Sequence, residues 1–150
     1  MSKKQQFENP RSKLKDIKKE LKNLKSEIQD IKSEIKDEIE ARPWGGYVVL
    51  IDNANYKLKK LVINPKKRFS LQYHNKRTET WTIVKGKLEI TVGDKKEIYS
   101  YGQTVSVPVG TKHRIENIED EVAEIIEVQT GTYFGEDDII RLEDDFGRIK

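Results

Sequence analysis

Three side chains in the middle of the sequence have the types and spacing of a cation site. Gln72 and His74 stand two apart in SLQYH, and Glu79 follows in RTETW. In an extended strand, residues i and i+2 project from the same face, so Gln72 and His74 point together. The polar stretch Asn75 to Thr78 reads as a turn, and an antiparallel return would bring Glu79 opposite the other two. Imidazole nitrogen and carboxylate oxygen are ordinary ligands of a borderline divalent ion, and a glutamine carbonyl supplies a further oxygen. A fourth ligand must come from elsewhere. The second of the chain's two histidines, His113, opens another strand-like run after Pro108-Val-Gly-Thr-Lys. A lone histidine on a strand is more often packed or solvated than metal-bound, so this spacing gains weight only within a longer pattern.

The scaffold for these groups has to come from the segment after Arg42, where apolar and β-branched residues recur with a period of two. The runs lie at 47–51, 56–63, 69–74, 80–84, 87–92, 104–107, 113–117 and 122–130. Lys85-Gly86, Gly93-Asp94, Tyr101-Gly102 and Pro108 to Gly110 punctuate them. Many short strands with turn signals predict an antiparallel sandwich or barrel with little helix. Before Arg42 the period changes. Residues 12–40 contain no Gly, Pro or aromatic residue and read as one helix. Leu14, Leu21, Ile28 and Ile35 fall at heptad position a, and Ile17, Leu24 and Ile31 at d. Charge surrounds this narrow stripe, which predicts a coiled coil. Glu20, Glu27 and Glu34 at g face Lys18, Lys25 and Lys32 at e, as a parallel pair requires. The expectation is a homo-oligomer through a parallel coiled coil, with dimer, trimer and tetramer all open. A helix folded back on its own domain is the alternative. The division expected is residues 1–41 for association and 42–150 for a β domain.

Composition narrows the classes. Charged residues make up 37% of the 150, yet the net charge is only +3. No basic surplus remains to cover phosphates, so no nucleic-acid partner is expected. No run of about 18 apolar residues is present, and no membrane span is expected. MSKKQQFENP lacks the apolar core of a secretory signal, giving a cytoplasmic location by default. The absence of cysteine excludes disulfides and thiolate ligands.

The longer pattern exists. The cupin superfamily is recognised by HxH, three or four residues, Glu, six residues, Gly, and then by Gly, five residues, Pro-x-Gly, two residues, His, three residues, Asn. This chain has Gln72, His74, Glu79 and Gly86, followed by Gly102, Pro108, Gly110, His113 and Asn117. It resembles a cupin, with Gln in place of the first His. The resemblance implies a small β-barrel (a double-stranded β-helix, or jelly roll) in which Gln72, His74, Glu79 and His113 converge on one metal ion. RPWGGY at 42–47, YKLKKLVINP at 56–65 and IEVQTGTYFGEDDIIRLEDDFGR at 126–148 are similar, more narrowly, to the type II phosphomannose isomerase cupin. That module forms the C-terminal part of bifunctional mannose-6-phosphate isomerase/mannose-1-phosphate guanylyltransferases and also occurs alone. The similarity covers Arg42 to Arg148. Asn75, Lys76 and Thr80 stand where members often carry histidines. No G-x-G-x-x-G nucleotide loop occurs, so guanylyl transfer is not expected of this chain.

A site of Gln, His, Glu and His suits a Lewis acid with no need of redox change: Zn first, with Mn, Co, Ni or Fe tenable. The reaction implied is interconversion of mannose 6-phosphate and fructose 6-phosphate through an enediolate, with a base moving a proton between C1 and C2. Both histidines are assigned to the ion, which leaves a carboxylate or lysine as base. Glu127 shares a strand face with Gln129, and whether that face is interior or exposed stays open. Arg42, Lys57, Lys59, Arg141 and Arg148 are candidate phosphate anchors. In resembling isomerases an arginine of the acidic tail is implicated in catalysis, and Arg141 is the better-placed match. Trp44, Tyr47 and Trp81 read as packing residues. The alternative function is a non-catalytic cupin that binds a sugar phosphate or nucleotide sugar and is tethered by its coiled coil. A metal-free epimerase acting on nucleotide-linked ketosugars fits less well, because His74 and His113 would need free carboxylate partners.

Overall fold

The computed structural model describes residues 9–37 and 39–149, apart from the side chains of residues 33–37. Two units are present, Met1–Glu38 and Ile39–Lys150.

The first unit holds one helix, α1 (Pro10–Asp37). Asn9 caps it: its side-chain oxygen accepts from the Arg11 N–H at 3.0 Å. Pro10 takes the first helical position, where a missing N–H costs nothing. Leu14, Ile17, Leu21, Leu24, Ile28 and Ile31 are all exposed, so the predicted seam runs uncovered along the single chain. Ile35 and Glu34 lie among the side chains outside the description. The helix stops at Asp37, short of the expected residue 40.

The second unit is built from eleven antiparallel strands. They are β1 (Glu40–Arg42), β2 (Gly45–Asp52), β3 (Tyr56–Ile63), β4 (Leu71–Tyr73), β5 (Arg77–Lys85) and β6 (Lys87–Val92), followed by β7 (Lys95–Ser100), β8 (Thr104–Val107), β9 (His113–Asn117), β10 (Ala123–Gly131) and β11 (Ile140–Glu143). One sheet runs β1-β2-β3-β10-β5-β8 and the other β11-β4-β9-β6-β7. Each predicted run holds a strand. Three strands were not anticipated. Glu40 read as helix and Ala41 as the end of the helical segment, but Glu40–Arg42 pairs with Gly45–Tyr47. Lys95–Ser100 is an edge strand with almost no buried residue, so its pattern carries no core signal. Ile140–Glu143 lies in an acidic tail and forms the opposite edge of that sheet.

Inward faces of both sheets share one core, with Ile63, Ile83 and Ile125 from the first sheet against Leu88, Ile90 and Ile115 from the second. Each such burial is worth about 1.5–3 kcal/mol. The inward rows change chemistry along their length. On β5 the buried residues run Ile83, Trp81, Glu79, Arg77, and on β10 they run Ala123, Ile125, Glu127, Gln129. One end of the interior is therefore apolar and the other polar.

Gly131 closes β10 against the start of β5. Its φ is +151°, and a Cβ there would overlap the Lys76 carbonyl oxygen and sit 2.8 Å from the Arg77 Cα. Backbone has no room to move aside. Gly131→Ala is expected to destabilise this unit by about 2 kcal/mol or more, read from the midpoint of urea unfolding.

Candidate metal centre and cation-lined cavity

Two strands and a turn deliver the central groups. His74 directly follows β4, Glu79 lies two residues after Arg77 in the buried row of β5, and His113 begins β9. All three are buried, and one ligand atom from each falls within 4.8 Å of the others. His74 Nε2 lies 3.0 Å from Glu79 Oε1, and His113 Nε2 lies 3.7 Å from Glu79 Oε2.

Backbone carbonyls set the orientation of both rings. His74 Nδ1 faces the Asp138 carbonyl at 2.7 Å, and His113 Nδ1 faces the Thr111 carbonyl at 2.8 Å. A carbonyl only accepts, so each Nδ1 carries a proton and each Nε2 turns toward Glu79. Burial lowers the His113 pKa, which keeps that ring neutral. Its Nε2 then presents a buried lone pair with no hydrogen-bond partner. Burial alone would raise the Glu79 pKa. The hydrogen bond and charge of His74, together with the charge of Arg77, outweigh that effect and hold the carboxyl well below the usual range. Converging lone pairs around an ionised carboxylate fit a divalent cation. Gln72 pairs in register with His113 across β4 and β9. Its Oε1 accepts from Ser70 Oγ at 2.6 Å and keeps a second lone pair.

A cavity adjoins these groups, lined by Gln72, Glu79 and Glu127 among others. Four of the five candidate anchors also line it: Arg42, Lys59, Arg141 and Arg148. Lys57 does not. It shares a strand face with Lys59 but lies nearer the β2–β3 hairpin, where Asp52 pairs with it at 3.0 Å. Most of the lining cations already have acidic partners: Arg42 binds Glu40, Lys59 binds Glu136 and Arg148 binds Asp144. Arg141 differs. Its Nε is buried without a partner, and burial lowers its pKa. Register places Arg141 beside Gln72, so His113, Gln72 and Arg141 form one row across β9, β4 and β11.

Glu127 lies on the interior face and is 3% exposed. Trp81 Nε1 donates to its Oε2 at 3.1 Å, and Gln129 Nε2 donates to its Oε1 at 2.6 Å. Burial, with the negative charge of Glu79 next, pushes its pKa up to about 8. Trp44, Tyr47 and Trp81 are core residues, as expected, although the first two also line the cavity.

Arg77 and Asp138 had no place in the sequence reading. Arg77 is buried and donates from Nε to Glu79 Oε1 at 3.0 Å and from Nη1 to the Gly135 carbonyl at 2.9 Å. Its position two residues before Glu79 on a strand was the available signal. Asp138 accepts from the Asn75 and Lys76 N–H groups while its carbonyl holds His74. Nothing in a run of acidic residues distinguishes such a clamp from a solvated surface.

The family described as Mannose-6-phosphate isomerase C-terminal matches residues 29–144. The chain belongs to this family. The match starts before Arg42, inside α1, and stops short of Arg148. Among curated members, the chain is 40% identical over 107 residues to the xanthan biosynthesis protein XanB of Xanthomonas campestris pv. campestris, covering 71% of this chain and 23% of that protein. It is also 40% identical over 104 residues to a mannose-1-phosphate guanylyltransferase of Sinorhizobium fredii, covering 69% and 20%. The chain thus spans about a fifth to a quarter of the length of these relatives. In fold it resembles the cupin domain of Schizosaccharomyces pombe Cnp3, with a TM-score of 0.54 at 16% identity over 57% of this chain and 64% of that one. The second unit is mainly β and cupin-like. No described helix is long and apolar enough to cross a membrane.

Outer partners of a metal-binding histidine hold its ring and tautomer. Asp138→Asn weakens the clamp on the turn after His74 and is expected to lower divalent-cation affinity about 10- to 100-fold by calorimetry.

Proposed function

We propose that this chain is a metal-dependent isomerase of sugar phosphates that converts mannose 6-phosphate to fructose 6-phosphate. One observation supports the reading above others. A single cavity meets the cation cradle at Gln72 and Glu79 and is lined by a buried carboxyl poised near neutrality and by a half-buried arginine whose buried Nε has no partner among the described residues. His74, Glu79 and His113, with Gln72, would hold the divalent ion, Zn first. Bound there, the ion would supply Lewis acidity toward the oxygens of a sugar. Arg141 anchors the phosphate, because a partly desolvated guanidinium with an unpaired buried Nε gains from a charged acceptor. Arg42, Lys59 and Arg148 add positive potential around it. Glu127 takes the proton from C2 and returns it to C1 through an enediolate while the hydroxyl proton passes from O2 to O1, and its burial sets the basicity this needs.

A second reading is a cupin that binds a sugar phosphate or nucleotide sugar without turnover. Its support is specific: both oxygens of Glu127 are already engaged by donors. The family relatives named for guanylyl transfer are far longer than this chain, and that activity is not proposed for it.

For residues 1–41 we propose parallel self-association through the exposed stripe of α1. Glu20 would meet Lys25 of a second copy, and Glu27 would meet Lys32. Residues 42–150 then form the functional domain, although pairing draws Glu40 and Ala41 into its sheet.

Fructose 6-phosphate formation from mannose 6-phosphate is expected to require bound metal and to vanish on chelation. Turnover by metal-free protein would sink the isomerase reading, and metal and sugar binding without turnover would select the binding module. Glu127→Gln should lower kcat at least about 100-fold at unchanged metal content. Glu127 acts only once deprotonated, so wild-type activity should climb with pH along a limb centred at or below about 8, because a bound cation draws that pKa down. For the helix, Leu21→Lys with Ile28→Lys is expected to reduce the molecular mass seen by light scattering to that of one chain.

A further inference from the structure

Three buried side-chain atoms lack a partner among the described residues: His113 Nε2, Arg141 Nε and Gln129 Oε1. The first is suited to a cation and the second to an anion. The third has no use in the chemistry above. Gln129 lies on β10 with Glu79 as its register partner, 1% exposed, and lines the same cavity as Gln72 and Arg141. Its Nε2 donates to Glu127 Oε1 at 2.6 Å and, at 3.4 Å, to Glu79 Oε1. Both carboxyl groups offer acceptor oxygens, so the amide turns its NH2 toward them. Oε1 is thereby left as an acceptor without a donor, and a buried acceptor in that condition is costly.

Neighbouring groups do not supply the donor. Arg77 spends its guanidinium on Glu79 and on the Gly135 carbonyl, and Lys59 is committed to Glu136. An anion would be repelled by a carbonyl oxygen. A neutral O–H satisfies it. Resting on the sugar-phosphate reading above, we infer that Gln129 Oε1 accepts a hydrogen bond from a hydroxyl of the bound sugar and so selects among sugar phosphates. The same amide holds Glu127 through its other end, so the group that reads the sugar also positions the proposed base.

The test is calorimetry on metal-loaded protein with mannose 6-phosphate, its deoxy analogues and inorganic phosphate. Wild type is compared with Gln129→Met, which keeps the shape, and Gln129→Glu, which keeps an oxygen. Gln129→Met is expected to bind mannose 6-phosphate about 10- to 100-fold more weakly and inorganic phosphate as tightly as wild type. One deoxy analogue should lose affinity against wild type and Gln129→Glu but lose nothing further against Gln129→Met. Equal deoxy penalties in wild type and Gln129→Met would overturn the inference, as would loss of metal from a folded Gln129→Met protein. If the variants do not fold, a crystal structure of wild type with metal and mannose 6-phosphate decides. Oε1 on a sugar hydroxyl supports the inference, while Oε1 on the metal or on a water overturns it. Wild type that binds no hexose phosphate removes the sugar-phosphate reading itself and this inference with it, a result distinct from binding without the coupling.

Discussion

Two backbone carbonyls govern the chemistry of this molecule. By holding the Nδ1 protons of His74 and His113, the carbonyls of Asp138 and Thr111 turn both Nε2 atoms toward Glu79. Rotated the other way, either ring would leave its carbonyl unsatisfied and withdraw a ligand atom. Much of the surrounding structure serves that arrangement. Asp138 also caps the β4–β5 turn, and Arg77 ties Glu79 to the chain at Gly135. The two rings and Arg77 are thus held by main chain, and Arg77, Trp81 and Gln129 in turn hold the carboxyl groups of Glu79 and Glu127.

Positions along the barrel explain how this polar cluster is tolerated. Ile83, Ile125, Leu88, Ile90 and Ile115 fill one end of the interior and supply the burial that folds the unit. At the other end the same strands carry Glu79, Glu127, Gln129 and Lys59 inward. Charged groups there find partners in one another, and those without partners face the cavity. Desolvation then acts as a tuning force: it raises Glu127, lowers His113 and lowers Arg141.

The sequence discloses this plan unevenly. Alternation located the strands that bury one face, and it placed Gln72 with His74 and Glu127 with Gln129. It missed Lys95–Ser100 because an edge strand of charged residues buries nothing for a period to record. Glu40–Arg42 escaped because helical composition continues past Asp37 as far as Ala41, and only the Gly45 to Tyr47 partner makes a strand there. Family motifs carried His113 and Arg141, which no local spacing joins. Lys57 shows the limit of face arguments: sharing a face with Lys59 does not place it at the same depth. Arg77 and Asp138 act through contacts 58 and 64 residues away along the chain, respectively.

The acidic tail has a double attachment. Residues of Thr132–Glu143 clamp His74 through Asp138 and deliver Arg141 to the row beside Gln72. Displacing that segment would spoil the candidate cation cradle and the proposed anion contact in one movement. The cleft is therefore shaped before any guest arrives, and the entropy of ordering it is spent when the barrel folds rather than at each encounter.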